Sequence, residues 1–416
     1  MYRGYPIAVV AFLSTGLTIG TSQYAFGEFA APLREAFGWS QTALNLSLSL
    51  AVVSGLVAPF AGRAMDRWGA RPVTVISLLL VAAGFLLRPL ITSLWHWYLF
   101  SALVYAGFPG ATVMPAGKLV GLWFPATRGR VMGAVTSGNN AGGLTMPALA
   151  AALVAAAGWQ WGFLAFGILL LALAVAAQVI IREDEDLVAR EMHRTRRGGA
   201  ARESRRLMES GITLRQALRT RRFWLILWGL FGATFTYQGV LTQLRQHFAE
   251  QGFAPALATT GLAVIAAMGI GSKLAFGRAS ERWTARLCCV VSVALQTVGL
   301  VIMALASSAP AMWSGIFVFG LGFGGLGALL VLIVQEAFGM KEFGAIQGVV
   351  QVAATGSMAA APVLAGWIHD RTGSFSAAFL IIAAVFVVAI ACLLAAGGRG
   401  AIAGATNVPQ TTDTSR

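Results

Sequence analysis

Charge is scarce in this chain of 416 residues: aspartate and glutamate number only 16, and 11% of all residues are charged. Soluble domains carry about 25% charged residues, so a water-covered globular surface is excluded. Histidine is equally sparse. His96, His193, His247 and His369 are scattered, with no ligand spacing and no nucleophile–base pairing, so neither enzyme chemistry nor a metal site is indicated. The three cysteines, Cys288, Cys289 and Cys392, all fall in apolar runs and suggest no disulfide framework. No nucleotide-binding motif or cofactor fingerprint is present.

What fills the chain is apolar: 57% of residues are hydrophobic and the mean hydropathy is +0.74. A helix needs about 20 apolar residues to cross about 30 Å of hydrocarbon. Twelve segments qualify, near 6–30, 42–61, 72–93, 95–118, 130–157, 160–181, 222–247, 256–276, 286–306, 311–335, 343–368 and 375–396. The predicted fold class is an all-α membrane protein with the lipid bilayer as its solvent. The first segment lacks a short core followed by a small-residue cleavage site, so it reads as a retained span.

The net charge of +14 is not a nucleic-acid footprint, because its distribution is one-sided. Twelve arginines lie from Arg182 to Arg222, and others cluster at 63–71, 128–130 and 278–286. If the spans alternate in direction, all of these fall on one face of the membrane. That bias predicts cytoplasmic termini at both ends of a multi-pass protein of the cell inner membrane.

The segment 62–71, GRAMDRWGAR, returns 215 residues later as GRASERWTAR at 277–286. The same offset carries Gln23 to Gln238, Gly107 and Phe108 to Gly322 and Phe323, Gly110 to Gly325, Gly133 to Gly348 and Pro147 to Pro362. The chain is therefore a duplication, with two parallel six-span halves, a plan used by many transporters. One long polar segment divides them. The expected domains are a bundle at 1–182, a cytoplasmic linker at 183–221, a second bundle at 222–397 and a disordered cytoplasmic tail at 398–416. Within the linker, 212–218 has helical spacing suited to a membrane surface.

Several motifs resemble a known family. GRAMDRWGAR fits G-x-x-x-D-R-x-G-x-R, which resembles the loop after the second span in the major facilitator superfamily. The segment around Phe26, Gly27, Glu28 and Phe29, followed by Pro32 to Ser40, is similar to bacterial monocarboxylate porters and oxalate–formate exchangers. So is WFPATRGR at 123–130. The resemblance implies two pseudo-symmetric six-helix bundles. It also implies a gating loop made by Gly62, Asp66, Arg67, Gly69 and Arg71. Asp66 is suited to cap a helix N-terminus in the other half, where the dipole favours an anion.

Lys273 is the sharpest candidate for substrate contact. An ionised side chain within a span is costly and by default marks function. By position alone two readings stand, because Gly277 is only four residues away, about 6 Å along a helix, and a lysine stem can snorkel that far. The resemblance favours substrate, since this branch carries an arginine here that meets a carboxylate. The lysine replaces a planar fork with a point charge. Asn140, Gln351, Tyr237, Gln23 and Gln243 are the expected polar partners, and Glu28 the candidate for proton coupling. Arg88, Lys118 and Arg245 lie near span ends, where snorkelling or packing accounts for them. Polar stripes at Thr15, Thr18 and Ser22 and at Gln347, Gln351 and Thr355 suggest a shared aqueous cavity.

The predicted function is transport of a small organic anion, a monocarboxylate, by alternating access in a monomer, with H+ as possible co-substrate and no cofactor. One rival is a multidrug exporter: GNNAGG at 138–143 approaches the G-P-x-x-G-G of drug–proton antiporters, with Asn139 where proline belongs. The other is a membrane sensor that binds without carrying.

Overall fold

The computed structural model describes residues 2–194 and 211–397, and these are almost wholly helical. Eleven helices are long and apolar enough to cross a bilayer, and a bent pair makes up a twelfth. In order the spans are Gly4–Phe37, Gln41–Trp68, Ala70–Leu90, Leu94–Trp123, Pro125–Ala157 and Trp159–Ile180 in the first half. The second half holds the pair Arg221–Val240 and Leu244–Glu250, then Pro255–Arg282, Ala285–Leu305, Ala309–Phe338, Phe343–Thr372 and Phe375–Ala395. Helices dominate because lipid offers no partner for backbone N–H and C=O groups. Short polar caps set where several begin: Ser40, Thr220, Thr284 and Ser308 accept from backbone N–H groups of their first turns, each worth about 1 kcal/mol.

Two boundaries differ from expectation. The second span does not end near residue 61 but continues to Trp68, so most of the 62–71 motif is the last turns of a helix. Its polar residues need no hydrocarbon, because the helix outlasts the apolar core and emerges from it. The seventh span, expected as one helix over 222–247, is bent by 58° where Val240 gives way to Leu244. The disordered-tail expectation at 398–416 lies outside the described residues, as does the middle of the linker. Of the linker's described ends, Glu185–Arg194 is helical, and Leu214–Leu218 is a short helix closed by a capping box on Thr213 and Gln216. Leu214 N–H donates to Glu342 at 2.7 Å, docking this end onto the start of the eleventh span.

The interruptions follow the repeat. The first span turns to π-helix over Gly20–Tyr24, and the seventh does so over Thr236–Val240. The fourth breaks at Thr112 and the tenth at Gly324. π-turns leave the regular hydrogen-bond ladder and often mark functional positions.

Two long seams join the halves: the second span packs along the eleventh, and the fifth along the eighth. Both are tight at the end carrying the arginine clusters, called the basic end below. A Cβ on Gly62 would lie 2.0 Å from the Gly344 carbonyl oxygen, and one on Gly277 would lie 2.4 Å from that of Gly129. Only glycine permits such backbone contact, and small residues are the usual means of helix approach in lipid.

Candidate functional site

Lys273 sits two-thirds of the way along the eighth span and is buried, with 6% of its surface exposed. It does not snorkel. Its ammonium turns across the seam and donates to the Thr136 carbonyl at 3.0 Å and to Asn140 Oδ1, both on the fifth span. Asn140 answers by donating Nδ2 to the Ala266 carbonyl of the eighth span at 2.8 Å. Among the described residues no acidic side chain is a hydrogen-bond partner of Lys273, and its acceptors there are neutral dipoles. The absence of a side chain at Gly269 makes room for this arrangement, while Gly327 leaves ordinary contact distance to the lysine stem. A Cβ at Gly269 would lie 3.3 Å from Asn140 Nδ2 and 3.4 Å from the Phe323 ring, and one at Gly327 would lie 3.5 Å from Lys273 Cε.

The wall continues away from the basic end. Phe323 packs edge-on against Tyr237, with centroids 5.6 Å apart. Tyr237 belongs to the π-turn of the seventh span; Tyr24, in the matching π-turn of the first, lays its ring over Gly143 of the fifth. Phe323, a residue sequence reasoning missed, thus lies between Tyr237 and Gly269, which neighbours Asn140. Its only sequence signal is its place in the repeat, opposite Phe108.

The other candidates are not joined to this wall by the observed contacts. Gln23 is exposed on the first span, Gln351 is half-buried on the eleventh, and Gln243 lies at the bend of the seventh. Glu28 is exposed beyond the π-turn of the first span, so it lacks the burial that the proton-coupling idea invoked. The polar stripe of the first span is packing rather than cavity lining. Thr15, Thr18 and Ser22 are buried, and the Thr15 and Ser22 hydroxyls donate to carbonyls of their own helix.

The motif at 62–71 makes a second cluster. Asp66 accepts from Gly344 N–H at 2.9 Å and Ala345 N–H at 2.8 Å, spanning the first turn of the eleventh span. Its repeat counterpart Glu281 accepts from Arg130 N–H at 2.8 Å and from Arg130 Nε at 2.6 Å at the start of the fifth. Each seam therefore carries a carboxylate from one half on a helix N-terminus of the other, where exposed donors and the macrodipole favour an anion. Lys118 donates to the Met65 carbonyl at 2.6 Å and steadies the helix end that carries Asp66. Gly69 has φ +95°, a conformation that a side chain resists, and a Cβ there would press on Glu183 at 3.1 Å. That space lets Glu183 accept from Ala70 N–H at 2.7 Å and from Arg71 N–H. Arg67 is exposed, its guanidinium 5.9 Å from the Trp68 ring centroid. A cavity of about 150 Å³ opens beneath the fifth–eighth seam, lined by Arg128, Ser280, Glu281 and Glu336 among others.

Comparison with known proteins agrees with this architecture. The family model of the Major Facilitator Superfamily matches residues 10–362. Human monocarboxylate transporter 11 is 26% identical over 395 residues, covering 91% of this chain and 79% of the relative. Rat monocarboxylate transporter 3 is 26% identical over 392 residues, covering 93% and 78%. Among solved structures, the human organic anion transporter MFSD10 superposes with a TM-score of 0.70 at 17% identity, over 94% of this chain and 99% of that one. The transporter FucP in its outward conformation gives 0.72 at 13%, over 96% and 100%. At such identity these last two speak for the fold alone. With eleven membrane-length helices and a bent pair among the described residues, the paired seams at the basic end and a family match over most of its length, the chain belongs to the Major Facilitator Superfamily, as a transporter and not an enzyme.

Proposed function

We propose that this transporter carries a small monocarboxylate across the cytoplasmic membrane by alternating access, with Lys273 pairing the carboxylate. The observation that carries this reading is a buried ammonium with only neutral acceptors, facing a wall that is otherwise aromatic. A carboxylate would bring the missing counter-charge, and charge-assisted hydrogen bonds are roughly twice as strong as neutral ones. A second carboxylate would meet no second cation in this wall, which favours monoanions. The relatedness to monocarboxylate transporters points the same way. In this reading the basic end is cytoplasmic, the Asp66 and Glu281 contacts hold that end shut, and the conformation is outward-facing. The drug-exporter alternative wants an acid in the wall, and Glu28 stands apart from it.

The test is uptake of labelled lactate and pyruvate into proteoliposomes, with and without an imposed pH gradient, for the wild type and Lys273→Ala. Uptake by the wild type should fall about tenfold or more in the variant, matching loss of a hydrogen bond to a charged group. No carboxylate uptake by the wild type would exclude the substrate class. Unchanged uptake by the variant would exclude the site. Acceleration by an inward proton gradient would establish coupling.

A further inference from the structure

The two seams that join the halves correspond by the repeat and each ends on a carboxylate, yet at the level of Lys273 only the fifth–eighth seam carries an ammonium. In the fifth–eighth seam Gly133 packs on the Lys273 carbonyl; in the second–eleventh seam Gly348 packs on the Ala58 carbonyl. Gly348 follows Gly133 by 215 residues, and Lys273 follows Ala58 by the same interval. The counterpart of Asn140 is Thr355, which rests against Gly55 of the second span with no charged partner. The lysine thus occupies the place that alanine holds in the opposite seam, and it reaches across the boundary between the halves.

We propose that Lys273, Asn140 and the Thr136 carbonyl form a clasp that holds the fifth–eighth seam shut in the empty protein, and that an anion opens it by capturing the ammonium. Asn140 Oδ1 stands in for a substrate oxygen while the site is empty. An ammonium has three donors, and here two neutral acceptors hold it away from water. A carboxylate oxygen is the stronger acceptor and neutralises the charge, so it displaces the amide rather than joining it. Displacement removes the bond from Lys273 to Asn140 Oδ1 and leaves the seam with the Thr136 carbonyl on the ammonium, the bond from Asn140 to the Ala266 carbonyl and the Arg130–Glu281 contact. Occupancy is then read by one seam, while the second–eleventh seam follows through the rigid bundles. Asn140 becomes the residue that couples binding to release. The displacement step rests on the anionic-substrate reading; the clasp itself does not.

The clasp can be tested without any carboxylate. Spin labels at Ala126 and Arg282, both exposed, report the fifth–eighth seam, and labels at Arg63 and Lys341 report the other. The full-length chain, with its three cysteines replaced by alanine, is examined in nanodiscs by electron–electron dipolar distance measurements. Asn140→Ala and Lys273→Met should each raise the ratio of open to closed populations at 126–282 about tenfold. Thr355→Ala, at the mirror position, should leave the ratio within about twofold, since it removes no bond to a charged group. Asn140→Asp gives up the bond to the Ala266 carbonyl but places a carboxylate on the ammonium, a charge-assisted contact about twice as strong, so it should lower the ratio, a gain of closure that misfolding cannot produce. An unchanged ratio in Asn140→Ala, or an equal rise in Thr355→Ala, would overturn the clasp. Because nothing is transported in this experiment, its failure is distinct from failure of the uptake assay.

Discussion

At the scale of single residues, the buried cations show how position misleads. Arg88, Lys118 and Lys273 all lie where a long side chain is expected to reach for the interface. Each instead turns inward to a specific acceptor or ring. Arg88 is 6% exposed, with its guanidinium 4.5 Å from the ring centroids of Phe85 and Trp97 and 4.9 Å from that of Phe163, and it donates to Ser101 Oγ at 3.3 Å. A desolvated cation over aromatic faces contributes about 2 kcal/mol. Arg88→Ala should lose about that much, seen as a lower midpoint of thermal unfolding in detergent. Arg88→Lys should recover less than half of it, because lysine has no planar face to stack on three rings. An unchanged midpoint in Arg88→Ala would mean that the box is only packing.

At the scale of elements, what matters is which helix end meets which carboxylate. Asp66 and Glu281 come from the same turn of the two repeats and cap opposite halves. The 215-residue repeat makes this pairing foreseeable in kind, and Asp66 was expected to cap a helix in the other half. The partner helix was not legible, because capping depends on how two bundles dock and not on any local spacing. In a partly buried setting such a cap contributes up to about 2 kcal/mol. Asp66→Asn and Glu281→Gln should therefore each favour opening of the basic end, and the double variant should show the sum, since the two seams share no side chain. Dipolar distances for the two label pairs check this. A double variant no more open than either single one would show that the two caps do not contribute independently to closure.

The π-turns tell a related story. GTSQY at 20–24 and TYQGV at 236–240 each carry one glycine, which in a chain of 49 glycines does not announce an irregular helix. Their equivalence emerges only when both helices are seen to turn to π-helix at nearly the same register. Tyr24 and Tyr237 owe their positions on the wall to those turns, which explains why Tyr24 went unnoticed beside Gln23.

At the scale of the whole molecule, the excess of arginine at one end implies orientation. Both termini should be cytoplasmic. A green fluorescent protein fused after residue 416 should fluoresce, and alkaline phosphatase fused there should be inactive. The reverse pattern would invert the assignment, and with it the outward-facing reading of the closed basic end.

The sequence by itself determined the solvent, the helical class, the duplication and the basic end. Each of these follows from composition or from a spacing along one chain, and both are fully present in a linear string. It also singled out Lys273, because an ionised residue in hydrocarbon is costly wherever the helix packs. Only the tertiary structure decided what that lysine contacts. Its acceptors, Thr136 and Asn140, lie more than a hundred residues away on a helix of the other half. Electrostatics over a few ångströms is set by which helices meet, and that meeting depends on glycines at Gly62, Gly129, Gly133, Gly277, Gly344 and Gly348 being in register across two seams.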